Sequence, residues 1–148
     1  MNEDRSEIQH LIYRYAELID AGDFDAVGRL LGRAAFGGAR TATISGAANI
    51  SGLFAMTTRR FEDGTPNTRH LVLNPIVDIE GDTAGARSTF CVVQATGRLP
   101  LQPIVVGRYY DVFGRDQEGW HFTERIADVE MVGDVSDHLL VDPATFER

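Results

Sequence analysis

The sequence predicts an α+β domain, with three helices followed by a meander of long antiparallel strands. Two observations carry this. Up to about residue 61, apolar residues recur at three- and four-residue spacing, interrupted once by a Gly-rich, β-branched stretch at 33–45. From residue 69 onward the period changes to two, over four stretches separated by breaks rich in glycine, aspartate or proline. A length of 148 residues, 43% of them hydrophobic, suits a single domain over 1–148 with one substantial core.

The first helix is expected over 4–20, where Ile8, Leu11, Ile12, Tyr15, Leu18 and Ile19 make one apolar stripe. Glu3, Asp4 and Glu7 suit the positive end of its dipole, and Gly22 fits a C-terminal cap. Asp23 then caps a second helix whose buried set is Phe24, Val27, Leu30 and Leu31. Residues 33–45 read as a short hairpin, and 47–61 as a third helix with Ile50, Leu53, Phe54 and Phe61 facing inward. The first long strand covers 69–79. Strict alternation puts His70, Val72, Asn74 and Ile76 on one face, and Leu71, Leu73, Val77 and Ile79 with Pro75 on the other. The next strands are expected at 83–95, with Ala86, Ser88, Phe90 and Val92 together, and at 104–113, with Arg108 and Tyr110 together. The last is expected at 120–131, with Trp120, Phe122, Glu124, Ile126 and Asp128 on one side. The tail at 132–148 is polar except for Leu139, Leu140 and Val141, and reads as a short flap.

Composition narrows the function. A net charge of −8 argues against a nucleic-acid binder, because phosphate contacts need clustered basic side chains. No apolar run approaches the ~18–20 residues of a membrane span, and the start Asn2-Glu3-Asp4-Arg5 does not read as a secretory signal. Cys91 is the single cysteine, which excludes an intrachain disulfide and a cysteine zinc site. His121 and His138 have no spaced partners, so no metal is expected, and no phosphate loop or dinucleotide fingerprint implies a cofactor. A cytoplasmic protein acting on a small molecule is the expectation.

His70 is the first candidate for chemistry, since an imidazole titrates near neutral pH and suits a general base. The alternative is a strand histidine bonded to a backbone carbonyl. Asp20 sits at a helix C-terminus, where the dipole disfavours a carboxylate by ~0.3–1 kcal/mol. A donor such as His70 would offset that cost and fix the imidazole tautomer, whereas a solvated turn residue is the plain alternative. Tyr15 either donates its phenol proton to a substrate oxygen or packs in the core with its hydroxyl at the rim. It lies about 140° around the helix from Asp20, so the two meet only at a wide pocket or a fraying end. Asn74 shares the His70 face and is a candidate to orient substrate. Arg108 and Tyr110 are further candidates for substrate contact, although Arg108 also fits a cross-strand pair with Glu124 or Asp128. Phe54 and Phe90 are the apolar contacts expected beside them.

Several motifs taken together resemble a known family. They are Tyr13-Arg14-Tyr15-Ala16, Asp20-Ala21-Gly22-Asp23-Phe24-Asp25, Thr68-Arg69-His70, Asn74-Pro75, Gly107-Arg108-Tyr109-Tyr110-Asp111 and Gly119-Trp120. In this order they resemble the SnoaL-like branch of the nuclear transport factor 2-like superfamily, over about residues 7–131. The resemblance implies a cone-shaped, strongly curved mixed β-sheet with the N-terminal helices on its concave side, an α+β barrel. It also implies a homodimer or homotrimer built through the outer sheet face. Asp20 and His70 stand where scytalone dehydratase, bile-acid 7α-dehydratase and hexachlorocyclohexane dehydrochlorinase carry their Asp–His pair, and Tyr15 resembles the bile-acid enzyme's pocket tyrosine. Ser88, Phe90 and Val92 occupy the region of that enzyme's further carboxylate, which points away from steroids. The activity so implied is a cofactor-independent dehydratase-like lyase acting on a small cyclic or polyketide-like hydroxy compound. Isomerisation or cyclisation needs the same proton abstraction, and a non-catalytic binding domain shares the fold.

Overall fold

The computed structural model describes residues 2–146. Helix α1 runs Asn2–Asp20, α2 Phe24–Leu30 and α3 Ala47–Thr57, with strands β1 (Ala35–Gly38) and β2 (Ile44–Ser45) between the last two. Four long strands follow: β3 (Thr68–Glu80), β4 (Thr83–Gln94), β5 (Gln102–Asp116) and β6 (Gly119–Val132). A 3-10 turn at Pro143–Phe146 ends the described chain. The expected elements are therefore present, except that α3 stops before Phe61.

Helix α1 buries its predicted stripe through Ile8, Ile12, Tyr15, Leu18 and Ile19. It ends where Gly22 turns left-handed at φ 74, with Gly22 N and Asp23 N donating to the carbonyls of Ile19 and Leu18. A side chain at Gly22 would also collide with the Gly64 carbonyl, so two reasons demand glycine there. Asp23 caps α2 by accepting from Ala26 N at 3.1 Å.

The sheet has the order β2-β1-β6-β5-β4-β3. The long strands pair antiparallel, while β1 runs parallel to β6, which makes the sheet mixed. The three helices pack on this curved sheet. It is left open, with β2 and β3 as edges, where the resemblance implied a barrel.

Two bulges shift the faces that strict alternation predicts. In β3 the pairing moves from Leu73–Thr89 to Ile76–Arg87, so one extra residue is inserted, and Asn74 adopts φ 54. Val77 thereby joins His70 and Val72 on the inner side, and Ile76 is exposed with Leu71 and Leu73. In β6 the pairing moves from Val112–Glu124 to Phe113–Phe122. Beyond that bulge the inward residues are Arg125, Ala127 and Val129, not the Glu124, Ile126 and Asp128 that alternation predicts.

Candidate active site

The end of α1 and the start of β3 meet at Asp20. Its Oδ2 accepts from the His70 backbone N–H at 2.8 Å, and its Oδ1 accepts from Thr68 Oγ1 at 2.9 Å and faces His70 Nδ1 at 2.7 Å. These three contacts answer the unfavourable helix-end position of the carboxylate. An ionised carboxylate only accepts, so Nδ1 carries the hydrogen and Nε2 keeps a lone pair. Both side chains are about nine-tenths buried. The motif Thr68-Arg69-His70 contains Thr68 without giving it a role, although its two-residue spacing from His70 puts both on one face.

His70 separates two spaces. Outside lies an open groove of about 670 Å³ with mixed walls, its charged and polar members including Glu17, Asp20, Asp63, Asn67 and Arg69. Inside lies a cavity of about 370 Å³ whose walls are mostly apolar. The inner space fits a small apolar ligand better, because its mostly apolar walls strengthen the few polar contacts available there.

The structure brings Tyr15, Phe54, Phe90 and His70 to this cavity. Tyr15 reaches it directly, its ring 5.8 Å from Tyr109 and 6.4 Å from both Phe36 and Phe54, whereas Asp20 acts on it only through His70. Burial pushes the Tyr15 phenol well above its ordinary pKa, so it is a neutral donor. Asn74, Arg108 and Tyr110 are not brought there. Asn74 is carried off by the β3 bulge and is exposed. Arg108 and Tyr110 lie on the outer face of β5, where Arg108 pairs with Glu130 at 3.6 Å, not with Glu124 or Asp128.

Sequence reasoning missed four residues in or beside the cavity. Tyr109 faces inward and stacks on Phe90 with centroids 4.3 Å apart; burial pushes its phenol up to about 12. Behind it lies a wholly buried ion pair, Arg125 Nη1 to Asp111 Oδ2 at 3.3 Å. The Arg125 guanidinium carbon sits 3.6 Å from the Tyr109 ring centre and 4.2 Å from that of Tyr15. Burial raises the Asp111 carboxyl to about 6 against the opposing pull of Arg125. His138, on the C-terminal tail, also lines the cavity. Arg125 is hidden from sequence reading by the β6 bulge, and His138 by having no regular element around it.

The tail thus covers part of the cavity. Leu139 bridges to Thr58, Arg59 N donates to the His138 carbonyl at 2.8 Å, and Leu140 N donates to the Thr57 carbonyl at 2.9 Å. Arg98 and Thr96 hold Asp137 beside it. Among the described residues no three His, Cys, Asp or Glu side chains gather as a metal site, and no helix is long and apolar enough to cross a membrane.

A family model described as a SnoaL-like domain matches residues 1–126. The chain belongs to the SnoaL-like domain family. That family includes polyketide cyclases and dehydratases, and its members bind small hydrophobic ligands and often oligomerise. This SnoaL-like chain is similar to an NTF2-like protein with a cystatin-like fold from Novosphingobium aromaticivorans. The two are 28% identical, with 91% of this chain and 86% of that one covered at a TM-score of 0.73. A candidate aromatic ring hydroxylase from the same organism is 26% identical, covering 93% and 97% at a TM-score of 0.72. A candidate scytalone dehydratase, also from that organism, shares the fold at 17% identity, covering 90% and 91% at a TM-score of 0.69. No curated protein matches the sequence.

Proposed function

We propose that this SnoaL-like domain is a cofactor-independent, dehydratase-like lyase acting on a small cyclic or polyketide-like hydroxy ketone. The reading rests on one observation: a buried carboxylate holds His70 Nδ1 at 2.7 Å while the same imidazole forms part of an apolar cavity wall. His70 Nε2 takes the proton next to the carbonyl, and the C–H electron pair moves into the enolate. Asp20 stabilises the imidazolium so formed. As the enolate collapses, the C–O bond to the β-hydroxyl breaks, and the imidazolium returns its proton so that water leaves. Tyr15, held protonated by burial, hydrogen-bonds the departing oxygen. An isomerase or cyclase would share the first step and differ in what the enolate then does. We also propose self-association through the outer sheet face, where Leu71, Leu73, Tyr110, Val112 and Met131 are exposed.

A panel of cyclic β-hydroxy ketones tests this. Dehydration is read from enone absorbance, and proton removal from hydrogen–deuterium exchange next to the carbonyl. The expected result is turnover that falls by about 10²–10⁴-fold in His70→Ala with folding retained. If exchange is the same with and without His70, or occurs with no member of the panel, the chain is a binding domain.

A further inference from the structure

The cavity holds a second imidazole that the mechanism above does not use. His138 is 8% exposed, and among the described residues its Nδ1 is sealed from solvent with no hydrogen-bond partner. A buried N–H without an acceptor is costlier than a buried lone pair, so the neutral ring carries its hydrogen on Nε2. The ring does stay neutral, since burial and the neighbouring His70 lower its pKa to about 4. Its backbone is fixed by the bonds from Arg59 N and to the Val135 carbonyl, which anchors the residue at the cavity wall. Around it the described cavity wall is made of aromatic, aliphatic, glycine and threonine residues, and among the described residues no carboxylate, ammonium or guanidinium lines it. A charged ligand would be desolvated there without a counter-ion. A neutral oxygen would meet a donor.

We propose that His138 Nε2–H donates a hydrogen bond to the carbonyl oxygen of the substrate, and that this substrate is an uncharged cyclic ketone. The inference rests on the reading that His70 removes a proton beside a carbonyl. When it does, negative charge develops on that oxygen, and a donor already in place stabilises it without reorganisation. The two histidines then divide the work. His70 receives the proton at carbon, and His138 holds the oxygen without giving up its own.

Binding separates this from the dehydration itself. The probes are 1-tetralone, the hydrocarbon tetralin and the anion 1,2,3,4-tetrahydro-1-naphthoate, none of which has a β-hydroxyl to lose. The wild-type protein is expected to bind 1-tetralone and to reject the naphthoate. Loss of one hydrogen bond in His138→Phe should weaken 1-tetralone by about tenfold. Tetralin, which controls for an intact cavity, should bind both proteins alike. His138→Gln, which keeps an N–H donor, should retain part of the preference for the ketone. In the wild type, saturation with 1-tetralone should shift the ¹⁵N resonance of His138 Nε2, a readout that needs no variant. The proposal is overturned if that resonance does not move, if the naphthoate binds as well as the ketone, or if neither neutral probe binds. Equal weakening of ketone and tetralin in His138→Phe also overturns it, since that is a packing effect. Failure of the lyase reading would show differently, as ketone binding that persists with no His70-dependent exchange.

Discussion

Two acid–base pairs lie in the core of this domain, and they are built on opposite terms. Asp20 makes three short contacts, to a backbone N–H, a hydroxyl and an imidazole, and its partner faces a cavity. Among the described residues Asp111 bonds only Arg125, at 3.3 Å, and its Oδ1 has no partner, nor do Arg125 Nε and Nη2. The first pair satisfies its charge and leaves one nitrogen free for chemistry. The second is fully buried and held chiefly by aromatic rings, so its charges are costly to separate. Burial alone therefore does not single out the pair proposed for chemistry; free capacity at a cavity wall does.

Variants can pull that contrast apart. The largest effect expected is on turnover: Asp20→Asn should cut kcat by about 10²–10⁴-fold, because the imidazolium loses its counter-charge. Its circular dichroism should stay native, and an unfolded variant would mean the pair is structural. Arg125→Met should instead destabilise the protein by about 3–5 kcal/mol in urea unfolding, by leaving Asp111 buried and alone. The double change Asp111→Leu with Arg125→Met should recover most of that loss. If it does not, the pair contributes more than its desolvation costs.

The pH dependence of stability should expose Asp111 and His138 as opposing groups. The Asp111 carboxyl titrates at about 6 in the fold against 3.8 ordinarily, so the native state binds more protons between those values. Its contribution is lost as pH rises from about 4 to about 6, by up to roughly 3 kcal/mol. His138, facing His70 and Asp20, titrates at about 4 against 6.5, so here the unfolded chain binds more protons. Its contribution is lost as pH falls from about 6.5 toward 4. Unfolding free energy relative to wild type should therefore climb with pH in Asp111→Asn and decline in His138→Phe. Parallel curves would refute both assignments. The smallest effect expected is Thr68→Val, about 1 kcal/mol of stability from one lost hydrogen bond to Asp20. A change larger than that in Asp20→Asn would show how the remaining contacts share the load.

The Asp20–His70 contact is legible in the sequence because both partners lie on regular structure. Asp20 closes a helix whose stripe is unambiguous, and His70 comes before the first bulge, where alternation still holds. Asn74 was misplaced because the extra residue falls at that very position, and a single insertion reverses every face beyond it. The same physics hid Arg125, which strict alternation from Trp120 turns toward solvent. Tyr109 is hidden between Arg108 and Tyr110, since which face of β5 is inner depends on pairing with β4 and not on local pattern. His138 depends on where a tail of irregular structure lands, and no period reports that.

The β3 bulge has a second effect, on how molecules of this protein meet one another. An open sheet leaves the 13-residue β3 as an edge, along which α1 already takes the His70 N–H through Asp20 and the Val77 carbonyl through Arg5. The left-handed Asn74 and the N–H-less Pro75 interrupt that edge near its middle. A neighbouring strand could therefore follow it for only a few residues before losing register. The insertion that takes Asn74 away from the cavity is also a guard against edge-to-edge aggregation.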